Sequence, residues 1–155
     1  MTTEYRYLIK NGEALWVMTS ANPIFKNNEV VGVQGMLVDI TERKEMEKQY
    51  LEKLGYTVTA RTSSIEALAA FRFYPQRFDL VITDMTMSNM TGDSLASEIK
   101  SIRPDIPVIL CTGFSEHIEN NGDELDADAF LMKPVARKKM ARTVRSVLDK
   151  IRWQD

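Results

Sequence analysis

Three residues able to do chemistry stand at the ends of three apolar runs: Asp84, Thr112 and Lys133. The runs are Leu80-Val81-Ile82-Thr83, Val108-Ile109-Leu110-Cys111 and Ala129-Phe130-Leu131-Met132. Each is short and rich in branched or large side chains, and helix-like segments separate them. That pattern reads as buried parallel strands joined by crossover helices. In such sheets functional groups gather at the carboxyl ends of the strands. A carboxylate, a hydroxyl and an ammonium would meet there, a set suited to accepting and holding a phosphoryl group. Taken singly, an aspartate at a strand end is often a helix cap, and a threonine there is often a turn residue. The three together carry the chemical reading.

The elements that must position them follow from periodicity and punctuation. Tyr5 to Lys10, Glu13 to Thr19 and Glu29 to Ile40 read as strands of an antiparallel meander. Asn11-Gly12 is a tight-hairpin signal, because both residues tolerate positive φ. Asn22-Pro23 and Asn27-Asn28 mark further turns. This meander is too small to bury its own core, so the apolar Leu8, Leu15 and Val17 must lie against something else. A helix follows with Thr41 as N-cap, Met46, Tyr50 and Leu54 at helical spacing, and Gly55 as its stop.

From Tyr56 strands and helices alternate. Tyr56 to Ala60 is a short strand. Ser63 or Ser64 caps a helix carrying Ile65 and Leu68 that ends before Pro75. After the Asp84 strand, a helix from Gly92 carries Leu95, Ile99 and Ile102 and stops near Pro104. A weak polar helix is expected around Glu116 to Asn120. The last helix places Met140, Val144, Val147 and Ile151 on one face. Alternation of this kind implies right-handed crossovers and an α/β three-layer sandwich.

Composition narrows the function classes. The 155 residues are 44% hydrophobic and 27% charged, ordinary for a globular domain with or without an extension. A net charge of −2 gives no reason to expect nucleic acid or an anionic membrane as partner. The basic cluster Arg137-Lys138-Lys139 reads as a solvated helix face. The single cysteine, Cys111, excludes an internal disulfide and suits a reducing compartment. With no signal-peptide pattern and no run long enough to span a bilayer, the expected location is cytoplasmic. His117, alone in a polar segment, is not expected to be a phosphorylated histidine.

From about Met36 onward the chain resembles the receiver domain of response regulators in two-component signalling. The motifs that carry the resemblance are Phe78-Asp79-Leu80-Val81-Ile82-Thr83-Asp84-Met85 through Met90-Thr91-Gly92, then Pro107 to Gly113, then Asp128-Ala129-Phe130-Leu131-Met132-Lys133-Pro134. The resemblance implies a flavodoxin-like fold with five parallel strands in the order 2-1-3-4-5. It also implies a signalling phosphoacceptor rather than a turnover enzyme. Asp84 would attack a phosphohistidine of a histidine kinase or phosphotransfer protein and become an acyl phosphate. Lys133 would pair with a phosphoryl oxygen, Thr112 would move to hydrogen-bond the phosphate, and Phe130 would follow as the switch aromatic. Mg²⁺ would be held by Asp84 and the Thr86 carbonyl. Lys133-Pro134 matches a bond that is typically cis in the family. Many members have proline where Ser88 stands.

One departure matters. Receivers begin with a strand ending in adjacent acidic residues that hold the metal, and this chain has no such pair. Residues 1–35, with the exit motif Val38-Asp39-Ile40-Thr41-Glu42-Arg43, resemble instead the last strands of a PAS sensor domain. Hybrid sensor kinases carry both modules with a kinase core between them; here the two are joined directly. The expectation is a receiver over 36–155 whose first strand is supplied by the PAS-like strand Met36-Leu37-Val38. Asp39 would then be a metal ligand, and Mg²⁺ would bind weakly. Asp39 could equally serve only as a residue preceding the helix. The rival functions are a phosphorylation-deficient pseudo-receiver acting through protein contacts, and a PAS fragment whose ligand site is rebuilt by dimerisation. An exposed apolar hairpin would favour a homodimer.

Overall fold

The computed structural model describes residues 2–8, 14–61, 63–87, 89–113 and 125–152. The chain divides into two compact units, Met1–Val58 and Thr59–Asp155.

The first unit is an antiparallel sheet of β1 (Thr2–Leu8), β2 (Ala14–Lys26) and β3 (Glu29–Asp39), followed by helix α1 (Thr41–Lys53). The Asn11-Gly12 turn lies outside the described residues, but Leu8 pairs with Ala14 on either side of it. Asn27 and Asn28 have φ of 50° and 67°, and they join β2 to β3 as a two-residue hairpin turn. Both central residues of such a turn need positive φ, which asparagine tolerates. The turn expected at Asn22-Pro23 does not form. Both residues lie inside β2, paired with Gln34 and Val33. β1 pairs with β2 only as far as Ser20. Beyond it β2 has a single ladder neighbour, so a proline without an N–H is accommodated.

The start of α1 also differs from expectation. Thr41 is the first helical residue rather than the cap. Its N–H donates to the Asp39 carboxylate at 2.8 Å, and its hydroxyl accepts the Trp16 N–H at 2.8 Å. The Thr41 backbone N–H, and after it the Thr41 hydroxyl, hold the Asp39 carboxyl below its ordinary value of 3.8. Gly55 terminates the helix at φ 92°, as its position foretold.

The second unit carries α2 (Ser64–Phe73), a 3₁₀ turn (Pro75–Arg77), β4 (Val81–Asp84), α3 (Gly92–Ile102), β5 (Val108–Thr112), β6 (Ala129–Met132) and α4 (Arg137–Arg152). β4, β5 and β6 form a parallel sheet in that order. All five residues of β5 are buried, as a central parallel strand covered on both faces requires. Val108 and Leu110 join Leu68, Phe71, Leu95, Ala96, Ile99 and Ile106 in the core between the sheet and helices α2 and α3. α4 packs against β6 and buries Met140, Val144 and Val147, while Arg137, Lys138 and Lys139 are exposed as expected. The polar helix expected at Glu116 to Asn120 lies outside the described residues, as does His117.

Among the described residues the parallel ladder shows three strands. Tyr56–Ala60, expected as a short strand, is assigned to no strand and pairs with none among the described residues. Met36-Leu37-Val38 pair antiparallel with Ser20, Thr19 and Met18 along one edge of β3. The hairpin turn at Asn27-Asn28 presents β2 to β3 immediately, and the local partner satisfies the backbone groups of β3 at little loop-closure cost.

Because its folded-state value is lowered, the Asp39 carboxylate contributes stability that is complete above its ordinary value and is lost as pH falls through the lowered one. Amide exchange in the first turn of α1 should therefore be faster in Asp39→Ala than in the parent at neutral pH. The two should converge in acid. Equal protection at neutral pH would show that the carboxylate does not hold the helix start.

Candidate functional site

Strand β5 organises the site through successive backbone carbonyls. The Cys111 carbonyl accepts the N–H of Met85 at 2.7 Å, and the Thr112 carbonyl accepts the N–H of Lys133 at 2.8 Å. Consecutive carbonyls of a strand point to opposite neighbours. The chain just after β4 and the chain just after β6 are thereby tied to the same end of β5. Asp84 closes β4, Thr112 closes β5, and Lys133 follows β6 directly.

The side chains use this placement. Lys133 Nζ lies 3.0 Å from Asp84 Oδ2, with the two side chains 22% and 18% exposed. A pair this shielded is screened far less than a surface ion pair. Thr112 is 2% exposed at the neighbouring strand end. Phe130, opposite Leu110 in the β5–β6 ladder, is partly buried and packs against the core. Thr86 is exposed in the loop after Asp84. The Lys133-Pro134 bond is cis, as the family resemblance implied. Ser88 lies outside the described residues.

Three supports were not read from sequence. A Cβ on Gly92 would collide with the Asp84 carbonyl and come within 3.0 Å of Met85 Cα. The Gly92 N–H donates to the Met85 carbonyl at 2.9 Å, so the start of α3 closes directly onto the end of β4. Its place in the motif Met90-Thr91-Gly92 was visible, but only the packing shows why a side chain is excluded. Asp128 accepts the Val108 N–H at 2.8 Å and meets Lys100 Nζ at 2.9 Å, tying β5 to β6 at the opposite end of the sheet. Arg103 donates from Nη1 to the carbonyls of Pro75 and Phe78 at 2.8 and 2.7 Å, anchoring the approach to β4. The hydroxyl of Thr83 in β4 donates to Met87 Sδ in the following loop at 3.5 Å.

The resemblance names Asp84, Thr86 and Asp39 for the metal. Asp84 and Thr86 belong to this unit, whereas Asp39 belongs to the first unit and its carboxylate is engaged by Thr41. Among the described residues, no group of three or more His, Cys, Asp or Glu side chains is gathered as metal ligands.

The parallel α/β unit thus gathers a carboxylate, a buried hydroxyl and an ammonium at one end of its sheet. Residues 39–145 match the family described as the response regulator receiver domain. The chain belongs to that family, and its fold is the flavodoxin-like α/β fold of receivers. It is similar to a response regulator receiver domain protein from Clostridium thermocellum, at 29% identity and a TM-score of 0.65, covering 72% of this chain and 89% of that one. A CheY-like receiver domain protein from Methanospirillum hungatei JF-1 shares 27% identity at a TM-score of 0.64, covering 74% of this chain and 91% of that one. Among curated proteins, the sensor kinase CckA of Brucella abortus is 36% identical over 103 residues, which are 64% of this chain and 11% of CckA. The probable transcriptional regulator ycf27 of Cyanidium caldarium is 31% identical over 106 residues, 68% of this chain and 41% of that protein. The chain thus spans well under two thirds of the curated relatives it matches. None of the described helices is long and apolar enough to cross a membrane.

Gly92→Ala should force the β4–α3 junction apart, at about 1–3 kcal/mol of stability. Urea unfolding would read this as a lower midpoint with an unchanged slope. An unaltered midpoint would mean that the junction relaxes without strain.

Proposed function

We propose that Asp84 accepts a phosphoryl group from a phosphohistidine of a histidine kinase or phosphotransfer protein. The observation that carries this reading is the 3.0 Å Lys133–Asp84 pair beside the buried end of β5. A carboxylate oxygen of Asp84 attacks phosphorus, and an acyl phosphate forms. The phosphorus–nitrogen bond breaks, and its electron pair returns to the imidazole of the donor. Lys133 is placed to follow the charge onto a phosphoryl oxygen, since its ammonium already sits on the attacking carboxylate. The Thr112 hydroxyl, at the adjacent strand end, hydrogen-bonds the phosphate once it is in place. Phe130 repacks with it, carrying the change to the face of β6.

Mg²⁺ is the cofactor that the family resemblance implies, and the oxygens for it are the Asp84 carboxylate and the Thr86 carbonyl. This donor set fits an ion that keeps most of its waters and binds weakly. When bound, the ion would neutralise charge on the incoming phosphoryl group. Asp39, the further ligand the resemblance offers, accepts the Thr41 N–H through one carboxylate oxygen. Residues 1–35 are read as a PAS-like remnant on the strength of the exit motif Val38 to Arg43. The missing acidic pair favours a second reading, a folded receiver that acts through protein contacts without being phosphorylated.

Incubation with acetyl phosphate and Mg²⁺, followed by intact mass, separates the two. The expected result is a phosphoryl adduct that is absent in Asp84→Ala and strongly reduced in Lys133→Met. The Mg²⁺ requirement should lie well above that of a receiver with its acidic pair. No adduct at any Mg²⁺ concentration would leave the interaction module as the function.

A further inference from the structure

Strand β4 reads Val81-Ile82-Thr83-Asp84, and Thr83 is its buried residue, 7% exposed. Successive side chains of a strand point to opposite faces, so Thr83 turns away from the side on which Asp84 lies. Its ladder partner is Leu110, a residue of the core between the sheet and helices α2 and α3, and Met87 packs against the same core. Valine has the same branched shape as threonine. The hydroxyl adds a buried polar group that needs a partner. It donates to Met87 Sδ at 3.5 Å, four residues further along the chain. Within that span Met85 is fixed through its backbone. Its N–H donates to the Cys111 carbonyl at 2.7 Å, and its carbonyl accepts the Gly92 N–H at 2.9 Å. Thr86 is exposed and stands between the two holds, Met85 by main chain and Met87 by side chain. The main-chain hold is independent of residue type, whereas the hold on Met87 depends on a hydroxyl at Thr83.

We propose that Thr83 is a positioning residue for a divalent cation: by holding Met87 it fixes the turn that carries the Thr86 carbonyl. The inference rests on the reading of the Asp84 carboxylate and the Thr86 carbonyl as the cation's oxygens. Mg²⁺ demands near-ideal octahedral geometry at about 2.0–2.1 Å, so a carbonyl free to wander weakens binding. A loose loop must also be ordered each time the ion binds, and that ordering costs conformational entropy. A turn already held on both sides of Thr86 has less freedom to lose. Thr83 touches neither the cation nor the phosphoryl group and acts through Met87 alone. A thioether sulfur is a weak acceptor, so the effect is a several-fold change in affinity rather than its abolition.

Titration of the full chain with Mn²⁺ alone, counting free ion by electron paramagnetic resonance, tests it; Mn²⁺ takes the same hard oxygen ligands as Mg²⁺. Binding that is lost in Asp84→Ala belongs to the site. Thr83→Val should weaken that binding about threefold or more, as the loss of one modest hydrogen bond would. Met87→Leu keeps the volume, loses the sulfur and should weaken it by a similar factor. The double variant should bind no more weakly than either single one, because both remove the same contact. Thr83→Ser keeps the hydroxyl and should keep most of the affinity. In acetyl phosphate labelling, the Mg²⁺ concentration for half-maximal rate should rise in Thr83→Val while the rate at saturating Mg²⁺ stays near that of the parent. General destabilisation would not give that split. Urea unfolding checks that each variant is folded, and were Thr83→Val to unfold, Met87→Leu carries the test. The titration needs no phosphodonor, so an absent adduct would sink the phosphoacceptor reading and not this inference. Parental affinity in folded Thr83→Val, or losses that add in the double variant, would overturn it. So would a parent that takes up no Mn²⁺ at Asp84.

Discussion

Two neighbouring carbonyls at the end of β5 hold the site together. One ties the residue that follows Asp84, and the next ties Lys133 itself. The ladder on both sides of β5 thereby becomes a positional constraint on a carboxylate and an ammonium far apart in sequence. Every buried layer of the second unit serves this arrangement. The five buried residues of β5 hold the central strand in place, and α3 closes onto β4 at a glycine where no side chain fits. Asp128 and Arg103 brace the far end, one at the start of β5 and the other on the approach to β4. A side chain lost from that bracing would loosen the alignment on which the Lys133–Asp84 pair depends.

The first unit is governed by a different constraint. Its strands are joined by short turns, so each pairs with its neighbour in sequence. The backbone of β3 finds β2 two residues away, and Asp39 ends that strand by taking the first N–H of α1.

The two units show what kind of information a sequence carries. The strands ending at Asp84, Thr112 and before Lys133 were legible because each is apolar over its full length, as only a strand covered on both faces is. The helices were legible from their periodicity and their stops at Gly55 and before Pro75. The run Met36-Leu37-Val38 fits a central parallel strand and an antiparallel ribbon equally well, and only the structure shows its pairing with β2. Asn22-Pro23 was misread because turn chemistry says nothing about whether a strand has one neighbour or two. Gly92 belonged to a recognised motif, but its steric role required the Asp84 carbonyl to be placed.

By itself the sequence determined the elements, the class of fold and the three side chains of the site, because periodicity, capping and residue type are local properties of the chain. The tertiary structure alone decided which strands share a ladder and what Asp39 holds. Those outcomes depend on distances between residues remote in sequence, and hydrogen bonds and packing are won only by the groups that arrive within reach.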